Sequence, residues 1–167
     1  MKYQVVYMSN TGNTEMIAKK IFADLPGQDK DIVRYEPNAS IPEADVYFVG
    51  FWIHKGTCSM NLLEFISELH EKKIALFGTC GMGADLNYYK RLAEDVEAWI
   101  ADDSECLGTF FCQGKMPMSV RNRYEEMIGQ GNDKMIRKMI QNFDSALTHP
   151  DNNDLQHATE FVQRVTR

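Results

Sequence analysis

Apolar residues follow two rhythms in this chain, and the rhythms alternate. Short β-prone runs lie at Lys2 to Met8, Asp31 to Tyr35, Val46 to Phe51, Lys73 to Phe77 and Cys106 to Cys112. Near-continuous apolar runs of that length fit strands covered on both faces. Between them the spacing changes to three and four: Ile17, Ile21 and Leu25 share one helical face, as do Leu62, Phe65, Ile66 and Leu69. Tyr89, Ala93, Val96 and Ile100 form a third stripe, and Ile136, Met139, Ile140 and Phe143 a fourth. These stripes are core faces, and the alternation predicts an α/β domain around a parallel sheet.

Two segments depart from the rhythm. Glu36 to Ala44 holds two prolines and no helical face, so the second crossover is expected to be short and irregular. Residues 113–167 form an extended C-terminal segment with additional helices. It contains a loop from Gln113, a short helix around Ser119 to Ile128, a longer helix after Asn132, a break at Pro150 to Asp154, and an amphipathic turn or two from Leu155 to Val165. The whole, 1–167, reads as a single domain without repeats.

The first strand runs straight into Ser9-Asn10-Thr11-Gly12-Asn13-Thr14, and a helix begins near Thr14. Short side chains let backbone N–H groups converge there on an anion. Ser9, Thr11 and Thr14 add hydroxyls, and the positive end of the helix faces the same point. The turn contains no Lys or Arg. It is neither a Walker loop, which needs G-x-x-x-x-G-K-[ST], nor a G-x-G-x-x-G fingerprint. A neutral, hydroxyl-lined turn suits a phosphate monoester held by hydrogen bonds.

Composition narrows the remaining classes. The 167 residues are 44% apolar and 11% aromatic, enough for one ordinary core. With 18 Lys+Arg against 24 Asp+Glu the net charge is -6, which argues against a nucleic-acid surface. No signal-like or membrane-length apolar run is present, and a cytoplasmic protein with no membrane partner is expected. The four cysteines, Cys58, Cys80, Cys106 and Cys112, show no zinc or redox spacing, so reduced thiols and no metal are expected.

Ligands of doubly wound sheets bind beyond the carboxyl ends of the strands. Three loops should therefore meet: the phosphate turn, Gly50-Phe51-Trp52-Ile53-His54-Lys55-Gly56-Thr57, and Gly78-Thr79-Cys80-Gly81-Met82-Gly83. An aromatic-bearing loop and a glycine-rich loop on either side of a phosphate turn match a flat heterocycle carrying a phosphate, and flavin mononucleotide (FMN) has that shape. The candidate cofactor-binding residues are Ser9, Asn10, Thr11, Gly12, Asn13, Thr14, Phe51, Trp52, Ile53, His54, Lys55, Gly56, Thr79, Cys80, Gly81, Met82 and Gly83. No catalytic residue is assigned.

At these residues the chain resembles the flavodoxin family. S-N-T-G-N-T matches the first loop, and Ala75 to Gly83 is similar to the short-chain pattern in which an aromatic residue between two glycines stacks on the flavin. The resemblance implies a flavodoxin-like, doubly wound, five-stranded parallel sheet in the order 2-1-3-4-5 with helices on both faces. It also implies non-covalent FMN and electron transfer to a redox partner. Phe111 to Lys115 and the phosphate-loop variant further resemble the flavodoxin-like proteins that accompany flavin-dependent reductases, including bilirubin reductases, in anaerobic bacteria. Such a reductase is then the expected partner.

Two departures stand out. Met82 holds the aromatic place, and His54 and Lys55 stand where flavodoxins usually carry acidic residues. A cation near the reduced flavin would raise its potential. Rival folds fail on required residues. A receiver domain needs acids where Ser9-Asn10 and Phe51-Trp52 stand, and no cysteine has an arginine six positions on, as a low-molecular-weight phosphatase requires. Three functions stay open: an electron carrier, an FMN-dependent NAD(P)H:quinone-type oxidoreductase, and a binding domain without a redox role.

Overall fold

In the computed structural model, which describes residues 1–83 and 85–167, the five strands form one parallel sheet in the order β2-β1-β3-β4-β5. They are β1 (Tyr3–Tyr7), β2 (Lys30–Arg34), β3 (Val46–Trp52), β4 (Lys73–Cys80) and β5 (Glu105–Gln113). The helices are α1 (Asn13–Asp24), α2 (Met60–Ser67), α3 (Leu86–Glu97), α4 (Met118–Met127), α5 (Asp133–Ala146) and α6 (Asn152–Val165). The strand order and both-face burial agree with the sequence reading.

The central strands are buried except at Lys73 and Trp52, because helices cover both faces. On one face Val5, Phe48 and Phe77 pack against Ile17 and Ile21 of α1 and Phe161 and Val162 of α6. On the other, Val6, Val49, Phe51 and Leu76 meet Leu62 and Ile66 of α2 and Val96 of α3. Gly50 pairs with Phe77, and Gly78 pairs with Phe111. A Cβ on either glycine would lie 2.2 or 2.3 Å from its partner's ring, so the missing side chains are where those rings sit.

No helix bridges β2 and β3, in line with the two prolines. Instead Tyr47 anchors the crossover, its hydroxyl donating to the Pro42 carbonyl at 3.2 Å and accepting from the Ala44 N–H at 3.1 Å. The C-terminal end differs from the expectation of a turn or two. α6 has 14 residues, buries Ala158, Phe161 and Val162, and lies against α1. Residues 151–154, read as a break, start it: Asp151 accepts from the Asp154 N–H at 3.0 Å, and the Asp154 carboxylate accepts from the Asp151 N–H at 2.8 Å. That is a capping box with Asp in place of the usual Glu. No helix among the described residues is long and apolar enough to cross a membrane.

Candidate functional site

All five strands point their carboxyl ends at one edge, and a cavity of about 290 Å³ opens there. Its lining draws on all three predicted loops and on a fourth after β5. The volume is near the bottom of the small-molecule range, so a mononucleotide would protrude from it.

The turn after β1 is shaped from within. Ser9 Oγ accepts the Gly12 N–H at 3.1 Å, and Gly12 takes φ 90°, a conformation open to glycine, as the N-cap of α1. Gly12 has no side chain to cap α1, and no side chain caps its first turn. Those N–H groups therefore remain to serve a ligand. Ser9, Asn13 and Thr14 are buried, whereas Asn10, Thr11 and Gly12 are exposed. Outside help comes from Arg34 at the end of β2, whose guanidinium donates to the Ser9 carbonyl at 2.7 Å. The turn thus has an adjoining cation that its own sequence lacks.

Thr14 and Thr79 share a buried hydroxyl–hydroxyl hydrogen bond of 2.8 Å, which ties α1 to β4. One of the two hydroxyls is committed to that bond. Ser9 and Thr11 are the freer hydroxyls of the turn. Asn13 uses its amide to donate to Thr11 Oγ1 at 3.2 Å and to the Lys115 carbonyl at 2.9 Å, joining this turn to the loop after β5.

After β3, Trp52, Ile53 and His54 line the cavity. Phe51 does not: alternation along the strand turns it into the core, where its ring meets Phe111 edge-on at 5.8 Å. β3 extends one residue further than the pattern indicated. His54 and Thr57 exchange both backbone hydrogen bonds, at 2.8 and 3.2 Å, around a two-residue turn. Lys55 has φ 52° and Gly56 φ 81°, the left-handed pair of a primed hairpin turn. Lys55 is an uncommon residue at such an angle. Both are exposed and lie beyond the cavity lining.

After β4, Thr79, Cys80 and Gly81 line the cavity, and Met82 and Gly83 do not. Burial pushes the Cys80 thiol above its usual range, so it is protonated at neutral pH and offers no thiolate. The Gly81 carbonyl accepts from Asn142 Nδ2 at 2.9 Å and Gln113 Nε2 at 3.1 Å. Asn142 Oδ1 accepts the Gly83 N–H at 2.8 Å, and the Tyr89 hydroxyl donates to the Met82 carbonyl at 3.2 Å. This clamp leaves Met82 half exposed, its sulfur 3.9 Å from Asn142 Nδ2.

The lining also takes in Gly114, Lys115, Met116, Pro117 and Val120, which are not among the candidate cofactor-binding residues, although the sequence marks Gln113 to Pro117 as an addition to a minimal flavodoxin suited either to cover the flavin or to dock a partner. Their only signal in the sequence is that position, directly after the fifth strand. The Gly114 N–H donates to the Cys80 carbonyl and the Lys115 N–H to the His149 carbonyl, both at 2.9 Å. Met116 lies over Gly81 so closely that a Cβ there would be 2.5 Å from its sulfur. It stands in the lining opposite the role expected of Met82.

The geometry fits a phosphorylated flat ring: an uncapped helix start and hydroxyls for the anion, with Trp52 and Met116 for ring faces. Comparison with known proteins agrees. Residues 4–163 match the family described as Flavodoxin domain. The chain is 35% identical to the flavodoxin-like domain-containing protein BilS of Clostridioides difficile, across 99% of this chain and 96% of that protein. The Streptococcus pneumoniae TIGR4 flavodoxin superposes with a TM-score of 0.61 at 16% identity, covering 99% of this chain and 98% of its own. A Lactobacillus acidophilus flavoprotein in complex with FMN gives 0.50 at 16% identity, over 66% of this chain and 92% of its own. With its sheet order, its carboxyl-edge cavity and a match over nearly its full length, the chain belongs to the flavodoxin domain family.

Proposed function

We propose that this chain is an electron-transfer protein that holds FMN at the carboxyl edge of its sheet and passes electrons to a partner reductase. FMN is the cofactor consistent with its family, and when bound it supplies reversible one- and two-electron chemistry. The observation that carries the reading is the pairing, in one cavity, of an uncapped helix start with Trp52. The first-turn N–H groups of α1 and the hydroxyls of Ser9 and Thr11 would take the phosphate. Trp52 and Met116 would flank the ring.

The lining favours a carrier over a stand-alone enzyme. Its titratable side chains are His54, Cys80 and Lys115, and Cys80 is held as a neutral thiol. Among the described residues, no carboxylate lies in it to pair with His54 or Lys115 in managing proton transfer for a substrate. The match to BilS, named as a flavodoxin-like domain-containing protein, supports the flavodoxin-like reading, and the reductase as partner rests on the resemblance carried by Phe111 to Lys115.

Anaerobic titration of the FMN-loaded protein with reductant, followed by absorbance and with NAD(P)H added to a parallel sample, tests this reading. The carrier takes up electrons stepwise from the reductant and ignores NAD(P)H. Direct bleaching by NAD(P)H would make it an oxidoreductase, and failure to retain FMN would leave a binding domain.

A further inference from the structure

We propose that a cleft on the flank of the sheet, between the β2–β3 crossover and α2, is a docking site for an arginine side chain presented by a partner protein. The cleft has a volume of about 430 Å³ and shares no lining residue with the carboxyl-edge cavity, so it stands independently of the FMN reading.

Its walls are apolar and its rim is acidic. Pro37 and Ile41 of the crossover and Phe65 of α2 line it together with Tyr35, which follows β2. The Tyr35 and Phe65 rings are half-buried, with centroids 5.3 Å apart at 44°, and the Tyr35 hydroxyl donates to the Asn61 carbonyl at 3.1 Å. That bond ties the two sides of the cleft together. Glu64 and Glu68 complete the lining one helical turn apart, and both are exposed. Among the described residues neither is in an ion pair within 4.0 Å. Their charge is felt inside the cleft: the Tyr35 phenol is pushed above its usual range by burial first, and then by Glu68 and Glu64.

These two carboxylates are placed against the local rules of helix stability. Like charges four residues apart repel, and the carboxyl end of a helix is the negative end of its dipole. Yet Glu64 lies in the last turn of α2, Glu68 is its C-cap, and the helix carries no Lys or Arg. The surroundings do not offset them. Glu36, next to Tyr35, is a third exposed acid. Lys72 is bound to Glu43 at 2.6 Å with Lys2 nearby, Lys73 pairs with Glu105 at 3.5 Å, and His70 lies 3.1 Å from Asp103. Arg34 turns its guanidinium to the Ser9 carbonyl. Uncompensated charge at the wrong end of a helix is a local violation of the kind found at functional sites.

Charge selects a cation, and the aromatic pair selects which one. A guanidinium stacks on a ring face while its fork of N–H groups reaches carboxylates, and Cβ atoms one helical turn apart are roughly 5–6 Å from each other, close enough for one fork to bridge both. Its methylene stem packs on Pro37 and Ile41. A lysine ammonium is a hydrated point charge and gains less there. An open cleft buries one side chain rather than a whole small ligand, which suits a residue carried by a larger interface.

The test is an amide-resolved NMR titration of the full chain with the peptide acetyl-Gly-Arg-Gly-amide, alongside its Lys and Glu counterparts. The Arg peptide should give saturable shifts centred on Tyr35, Glu64, Phe65 and Glu68. The Lys peptide should bind at least about threefold more weakly, and the Glu peptide should leave those signals unmoved. Glu64→Gln combined with Glu68→Gln should weaken Arg-peptide binding by about tenfold and raise the urea midpoint of the free protein, because the repulsion along α2 is relieved. A lowered midpoint would give the two carboxylates a structural role and overturns the proposal. So do shifts that spread over the surface without saturating, equal affinities for the Arg and Lys peptides, or undiminished binding by the double variant.

Discussion

The loops after β3 and β4 both border the cavity and are built on opposite principles. In the β4 loop the Gly81 carbonyl, the Met82 carbonyl and the Gly83 N–H are all held by side chains from β5, α3 and α5. In the β3 loop the hairpin closes on itself through His54 and Thr57, and its tip residues Lys55 and Gly56 are exposed. Lys55 there takes a left-handed angle that costs a residue with a Cβ roughly 1–2 kcal/mol. One wall is fixed by distant parts of the chain, and the other is local and carries strain. Strain of that kind gathers where a segment changes conformation with its ligand.

The sharpest way to break the contrast is to remove the clamp. Asn142→Leu leaves the Gly81 carbonyl with one donor and the Gly83 N–H with none, and it should lower stability by roughly 1–3 kcal/mol in urea unfolding. FMN affinity should drop with it, since the floor of the cavity loosens. If neither changes, the β4 loop is held by other means.

Next in size is Trp52→Ala, which removes the large aromatic side chain of the local wall. It should weaken FMN binding by about tenfold or more, in keeping with the stacking and burial of a large aromatic. Met116→Ala should weaken it less, and Met82→Ala should scarcely alter it, because Met82 lies outside the lining. Fluorescence titration of FMN into the apoprotein ranks the three. An effect of Met82→Ala larger than that of Met116→Ala would restore the sequence-based assignment.

The buried thiols Cys58, Cys80 and Cys112 give the fold a pH dependence that belongs to neither wall alone. Burial raises Cys58 to about 12 from 9.0 and pushes Cys80 and Cys112 upward as well. The unfolded chain therefore loses these protons first as pH rises. Their contribution to stability is complete below pH 9 and is lost progressively through about 12 for Cys58. Urea midpoints should decline across that window, and Cys58→Ala should flatten the decline. The smallest expected effect belongs to the strained wall. Lys55→Asn places the preferred Asn-Gly pair in the primed turn and should stabilise the apoprotein by about 0.5 kcal/mol.

What could be read in advance follows the same division between local and distant causes. The three central strands were visible because burial on both faces writes a near-continuous apolar run into each, and the turn after β1 because strand, short polar residues and helix are contiguous. Phe51, already inside the expected strand, follows the two-residue alternation of Tyr47 and Val49 into the core instead of the cavity, a consequence its place next to Trp52 in the loop motif hides. Met82 and Met116 are indistinguishable as residues. What separates them is the clamp on the β4 loop, made by Tyr89, Gln113 and Asn142, the last 60 positions from Met82, which holds Met82 outside the lining. Arg34 reaches Ser9 from 25 positions away, so the turn's cation was invisible in the turn itself. The helix α6 was shortened because Asp151 and Asp154 look like a break until their side chains are seen to cap.

The account stands most directly on the claim that the Ser9–Thr14 turn and the start of α1 hold a phosphate. Comparing the affinities of the apoprotein for FMN and for riboflavin, which lacks only that group, measures it in one experiment. Charge-assisted hydrogen bonds from an uncapped helix start predict that FMN binds at least roughly a hundredfold more tightly. Equal affinities would mean that no phosphate is held there and would contradict the assignment of the cavity.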